Sequence, residues 1–152
     1  MAERLSNGTR NAALAALRTT YANGVLEIYS GTQPTSAEAI ETGDMLCRIT
    51  LASGAFTPGV ATNGINFDAP VAGVLSKAAA ETWSGVAALT GTAGWFRFYT
   101  NAYHTGADTD DSKIRFDGLI GSSGCEINSV NRSITAGGTV TVATFTFTLP
   151  AA

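Results

Sequence analysis

At 139–149 the chain reads TVTVATFTFTL, with threonine alternating with apolar residues along most of the stretch. In an extended strand such alternation turns every second side chain to one face. The phase changes partway: Val140 and Val142 fall on even positions, Phe145, Phe147 and Leu149 on odd ones. A strand repeats every two residues, so one uninterrupted strand cannot direct both sets into the same core. Two arrangements reconcile them. A β-bulge near Ala143-Thr144 would insert the extra residue, or the strand would pass there from one sheet to another.

The same period recurs along the chain after Gly24. In VLEIYS, Leu26 and Ile28 share one face, with Val25, Glu27 and Tyr29 on the other. In MLCRITL, Met45, Cys47, Ile49 and Leu51 alternate with Leu46, Arg48 and Thr50. From 95 to 100, Phe96 and Phe98 oppose Trp95, Arg97 and Tyr99, and a strand with aromatics on both faces is either central in its sheet or part of an interface. SKIRFDGLIG is expected to place Ile114, Phe116 and Ile120 inward and Lys113, Arg115 and Asp117 outward. Between these runs, 32–44 reads as a connection with a short helical turn from Ser36, closed by Gly43. The stretch 54–73, broken by Pro58, Gly59, Asn63-Gly64 and Pro70, reads as loop with Ile65 and Phe67 as its inward pair. Strands are expected on either side of Ser84-Gly85, and one more before a turn at Ala136-Gly137-Gly138.

Before Gly24 the pattern is helical. Ser6 to Thr9 supply capping side chains, RNAALAALRTTY is rich in helix formers, and Leu14, Leu17 and Tyr21 make a narrow apolar stripe. Asn23-Gly24 ends it, Gly24 being expected to take the left-handed conformation common at helix ends. The stripe suits a helix that plugs an open end or face of the sheet; the alternative is an arm that docks Leu14 and Leu17 on a partner. The fold expected is mainly β: an antiparallel β-sandwich or small barrel with one N-terminal α-helix, in a single domain over 1–152 whose first 23 residues are the helical segment.

Charge narrows the function. Charged residues are 14% of the 152, against about 25% in ordinary domains, while hydrophobic residues are 45%. A surface left to Thr, Ser, Asn, Gly and Ala suits a protein packed against neighbours. The net charge is −3 and Lys occurs only at Lys77 and Lys113, so there is no basic run for direct nucleic-acid binding. No apolar run reaches the length of a membrane span, and the N-terminus has no continuous apolar core of a secretory signal. Cys47 and Cys125 read as strand residues carrying free, buried thiols.

No catalytic constellation is legible. The single histidine, His104, sits in a loop, and neither a nucleophile elbow nor a phosphate-binding loop is present. Asp108, Asp110 and Ser112 have the spacing of a calcium loop's first half, but Lys113 stands where glycine is needed. Asp is common in turns for its backbone hydrogen bonds, which accounts for the cluster. Glu27, Glu38, Glu41, Glu81 and Glu126 carry no context for paired-carboxylate hydrolysis. The expectation is a protein without enzymatic activity, metal or cofactor.

The segment 22–51, ANGVLEIYSGTQPTSAEAIETGDMLCRITL, resembles one that recurs in small structural proteins of tailed bacteriophages and prophages. The residues that carry the likeness are Leu26, Ile28, Tyr29, Ser30, Gly31, Gln33, Pro34, Thr42, Gly43 and Leu46, and RFDGLIG and ITAGGTVTVATFTFTLP extend it toward the C-terminus. The resemblance implies a virion component assembled in the bacterial host cytoplasm. Its expected role is capsid decoration or cement, with the phage major capsid protein or a neighbouring virion protein as partner. A homo-oligomer is also expected, with no nucleic acid and no membrane bound. The alternative is a tail, baseplate or receptor-binding module that holds carbohydrate on exposed Trp83 or Trp95. The interface candidates are Tyr29, Gln33, Pro34, Trp83, Trp95, Tyr99, Leu14 and Leu17, with Tyr29, Trp95 and Tyr99 expected to face outward.

Overall fold

The computed structural model describes residues 4–129 and 131–151, so the first three residues of the expected helical segment lie outside the described residues. The chain is mainly β with one helix at its N-terminus. Helix α1 (Asn7–Thr20) begins where the side chain of Ser6 accepts the N–H of Thr9 at 3.2 Å. It packs on its own chain. Leu14 is fully buried, Leu17 is half-buried against the core, and Tyr21 stands edge-on to Phe98 and Phe116. Arg10 Nη1 donates to the Leu149 carbonyl at 2.8 Å and Arg18 Nε to that of Phe67 at 2.9 Å, so Leu14 and Leu17 form no free arm. The left-handed residue after the helix is Asn23 (φ 55°), not Gly24. Gly24 is needed for a close approach instead, because a Cβ there would lie 2.4 Å from the Tyr99 carbonyl oxygen.

The strands that follow are β1 (Val25–Ser30), β2 (Met45–Leu51), β3 (Val74–Ser76), β4 (Trp83–Val86), β5 (Gly91–Tyr99), β6 (Arg115–Gly121), β7 (Ile127–Asn128), β8 (Ser133–Ile134), β9 (Thr139–Val142) and β10 (Thr146–Thr148). The larger sheet runs β7-β6-β5-β1-β2-β4-β9, with β8 added on β5, and curls into a half-barrel. Its pairs are antiparallel except β6 with β7. The aromatic strand β5 lies inside this sheet between β1 and β6. The second sheet is the pair β10-β3.

The phase change at 139–149 is a change of sheet. β9 pairs with β4, from Trp83↔Val142 to Val86↔Thr139, whereas β10 pairs with β3. Val142 and Phe145, on either side of the crossing, both reach the core. Bulges occur elsewhere. Ile28 pairs with Cys47 but Tyr29 with Met45, so Leu46 is the extra residue and joins the core instead of the opposite face. Ser84-Gly85 does not separate two strands but lies within β4, where a Cβ on Gly85 would sit 1.9 Å from the Arg48 carbonyl oxygen.

Further expectations change for local reasons. β6 starts at Arg115, so Ile114 precedes it and is 53% exposed. The segment from 36 makes a single turn, Ala39 N–H to the Ser36 carbonyl, and no helix. Between 124 and 138 the described residues form two separate two-residue strands, followed by the expected turn, in which Gly137 takes φ 80°. Cys47 is buried and Cys125 is half-exposed in a turn; both thiols are free. The core on the inner face of the sheet is aromatic at its centre. Phe67, Trp83, Phe98 and Phe145 meet there, with Phe67 5.2 Å from Phe98 and 5.4 Å from Trp83.

Candidate functional site

The other face of β1, β5 and β6 should meet water if the sheet stood alone. It is covered instead by two connections, a strap of residues 31–44 and the loop 100–114. Beneath them lie Glu27 and Tyr29 from β1, Trp95, Arg97 and Tyr99 from β5, and Arg115 and Asp117 from β6. Alternation therefore assigns Tyr29, Trp95 and Tyr99 to the correct face, but the expectation that they are outward is overturned: they are 5%, 0% and 0% exposed. Tyr29 stacks on Trp95 with centroids 4.4 Å apart, and the Arg97 guanidinium lies over the same indole at 5.4 Å.

Charges brought under cover must be paired and hydrogen-bonded, and here they are. Glu27 Oε1 accepts from Arg48 Nε at 2.9 Å and from the Tyr103 hydroxyl at 2.8 Å, while its Oε2 accepts from Tyr29 at 2.6 Å. Arg97 grips Asp117 with two parallel bonds of 2.6 and 2.7 Å, the bidentate geometry that fixes a guanidinium most firmly. Its remaining nitrogen reaches the Ala39 carbonyl at 2.9 Å and Glu41 Oε1 at 3.0 Å. Arg115 donates to the carbonyls of Ala37, Glu38, Ala39 and His104, and lies 3.4 Å from Glu41 Oε1. The Tyr99 hydroxyl donates to Glu41 at 2.8 Å, and the Gly106 N–H donates to both oxygens of the same carboxylate.

Protonation follows from these contacts. Burial pushes the Tyr29 and Tyr99 hydroxyls up, and the Glu27 carboxylate adds to it at both. Tyr103 is pushed up to about 12 by burial and by Glu27. Burial alone would raise Glu41, but the hydrogen bonds from its own backbone, Tyr99, Gly106 and Arg97 prevail and hold it below the usual carboxylate range. Burial opposes the charge on Arg97, yet its bonds to Asp117 outweigh that and raise its pKa. Three acids and three arginines face one another under this cover, each carboxylate bonded to a guanidinium. Within the chain, Arg97 and Arg115 are bonded to carboxylates and to main-chain carbonyls.

The other candidates lie apart from this face. Trp83 is fully buried on the inner, apolar face, and its Nε1 donates to Glu81 Oε2 at 2.9 Å. With Trp83 and Trp95 both inside, neither indole offers the exposed platform expected for carbohydrate. Gln33 and Pro34 are half-buried at the mouth of a shallow groove of about 630 Å³, beside Leu119, Cys125 and Arg132. His104 is exposed and meets the network only through its carbonyl. Asp108 caps its own loop, accepting from the N–H groups of Asp110, Ser112 and Lys113. Among the described residues no group of three or more His, Cys, Asp and Glu is placed to hold a metal ion, and no helix is long and apolar enough to cross a membrane.

Glu27, Glu41, Arg97, Arg115 and Asp117 were not singled out by the sequence as site residues. One signal was present: Glu27 and Arg97 stand within strands whose neighbours are apolar on both faces, a pattern that requires buried partners. Nothing comparable marks Glu41, which comes from a loop. No family model, no curated protein and no solved structure matches the chain.

Proposed function

We propose that this chain is a non-enzymatic structural protein of a tailed-phage virion, a decoration or cement protein that bridges neighbouring capsid subunits. The observation that carries the reading is how the surface is composed. Arg48, Arg97 and Arg115, of nine basic residues, and Glu27, Glu41 and Asp117, of twelve acidic ones, are drawn into the covered network. What they leave outside is low in charge and carries large apolar side chains, among them Val71 (70% exposed), Ile40 (61%) and Val86 (57%). Burying such groups against another protein removes apolar area from water with few charges to desolvate. The likeness of 22–51 to phage structural proteins supplies the biological setting.

Binding to capsids tests the proposal. Purified protein is mixed with expanded capsids of the phage or prophage that encodes it, sedimented, and the capsids are heated. Saturable cosedimentation with a raised capsid melting temperature is expected. Association with isolated tails and none with capsids would move the chain to the tail.

A further inference from the structure

The strap 31–44 is closed at its neck. Ser30 N–H donates to the Asp44 carbonyl at 3.0 Å, and Asp44 N–H donates to Ser30 Oγ at 2.9 Å. Gly31 and Gly43 flank that neck with φ of 78° and 76°, left-handed conformations that mark both points where the backbone turns. No side chain of 31–44 belongs to the apolar core, and Ile40 is 61% exposed in the closed form. Lifting the strap therefore bares no core of its own but uncovers part of Tyr29, Trp95 and Tyr99, a loss that only a strap seated in the same place makes good. What fastens it is polar: the carbonyls held by Arg97 and Arg115, and the carboxylate of Glu41.

That carboxylate sits in a receptor assembled from other elements. Arg97 Nη1 (3.0 Å) and the Tyr99 hydroxyl (2.8 Å) come from β5, Arg115 Nη1 (3.4 Å) from β6, and the Gly106 N–H (3.0 and 3.2 Å) from the loop opposite. Asp117 fixes Arg97 independently of the strap, whereas three of the four carbonyls that hold Arg115 belong to the strap and go when it lifts. Arg115 then loses Glu41, its one carboxylate partner among the described residues.

We propose that this receptor also works between molecules, and that a second copy of the chain fills it with its own Glu41 when the two straps exchange. The occupant is argued from complementarity, since the segment known to fit the receptor is this chain's strap. Each polar contact given up within one molecule is remade in the other, which is what makes the exchange of identical elements a low-cost route to a dimer. The inference holds or fails independently of the virion reading.

Two variants make the test. Glu41→Ala has an intact receptor and a strap without its carboxylate; Arg115→Ala has the carboxylate and a damaged receptor. Each is expected to be largely monomeric by sedimentation velocity. Their equimolar mixture, warmed to let the straps open and then cooled, is expected to associate at least about tenfold more tightly than either alone, a gain within reach of one charge-assisted contact. A mixture that sediments as the simple average of its parts overturns the proposal. Should Arg115→Ala fail to fold, the unaltered protein decides. Concentrated and warmed, it should form a dimer that Glu41→Gln abolishes, and a monomer at every concentration overturns the exchange.

Discussion

Trp83 and Trp95 are both without solvent contact, yet their indole N–H groups fare differently. Trp83 Nε1 reaches Glu81, whereas Trp95 Nε1 has no hydrogen-bond partner among the described residues. An unmet buried donor is destabilising by about 1–3 kcal/mol, so removing it offsets part of the packing lost. Trp83→Phe is expected to lower the unfolding free energy by about 2–4 kcal/mol, through lost volume and the lost bond to Glu81 Oε2, which keeps only the Asn66 N–H. Trp95→Phe should stay within about 1 kcal/mol of the parent, because a phenyl ring can still stack on Tyr29. Urea denaturation of both variants checks this, and an equal loss would show that the Trp95 N–H is satisfied. At this scale alternation specifies the faces of Trp95 to Tyr99, whereas a bulge at Gly94 turns Ala93 to the core. Alternation does not say whether a face meets water, because the cover comes from loops remote in sequence. Trp95 and Tyr99 were legible as a pair, but not as a buried one.

Among the elements, β4 depends on its contact with β2. The atom a Gly85 Cβ would meet at 1.9 Å is backbone, the Arg48 carbonyl oxygen, which cannot swing aside. Gly85→Ala is expected to cost about 3 kcal/mol or more, seen as lost solubility or a collapsed melting transition. Gly59, at φ 78° with open space around it, is the control, and alanine there should cost only about 1 kcal/mol for the left-handed backbone. If the two variants melted alike, the β2–β4 contact would be looser than described. The location of the break in the last strand could be read from the parity of Val142 and Phe145. The choice between bulge and sheet change could not, because it depends on β3 and β4 as pairing partners. The bulge at Leu46 and the short strands β7 and β8 likewise arise from pairing and leave no periodic trace.

For the whole molecule, ionisation sets the limits of stability. All four tyrosines have raised pKa values, with burial the leading cause, Tyr21 and Tyr103 reaching about 12. A group whose pKa is higher folded than unfolded stabilises fully below its unfolded value, near 10 for tyrosine, and that contribution is lost as pH rises toward the folded value. Glu41 has the opposite sign: its lowered pKa stabilises above the ordinary carboxylate range and fades as pH falls through the folded value. The protein should therefore be most stable between these limits. In alkali, tyrosinate absorbance should rise together with loss of the circular dichroism of the fold. Tyrosinate formed at the ordinary pKa with the fold intact would contradict the burial of Tyr29 and Tyr99. A last consequence concerns how the surface can vary over time. Arg97 and Arg115 hold the strap by the main-chain oxygens of Ala37, Glu38 and Ala39, which every amino acid supplies. Mutation can rewrite those three side chains while the fastening persists, so the strap offers the chain a stretch of outer surface free to drift between two fixed glycines.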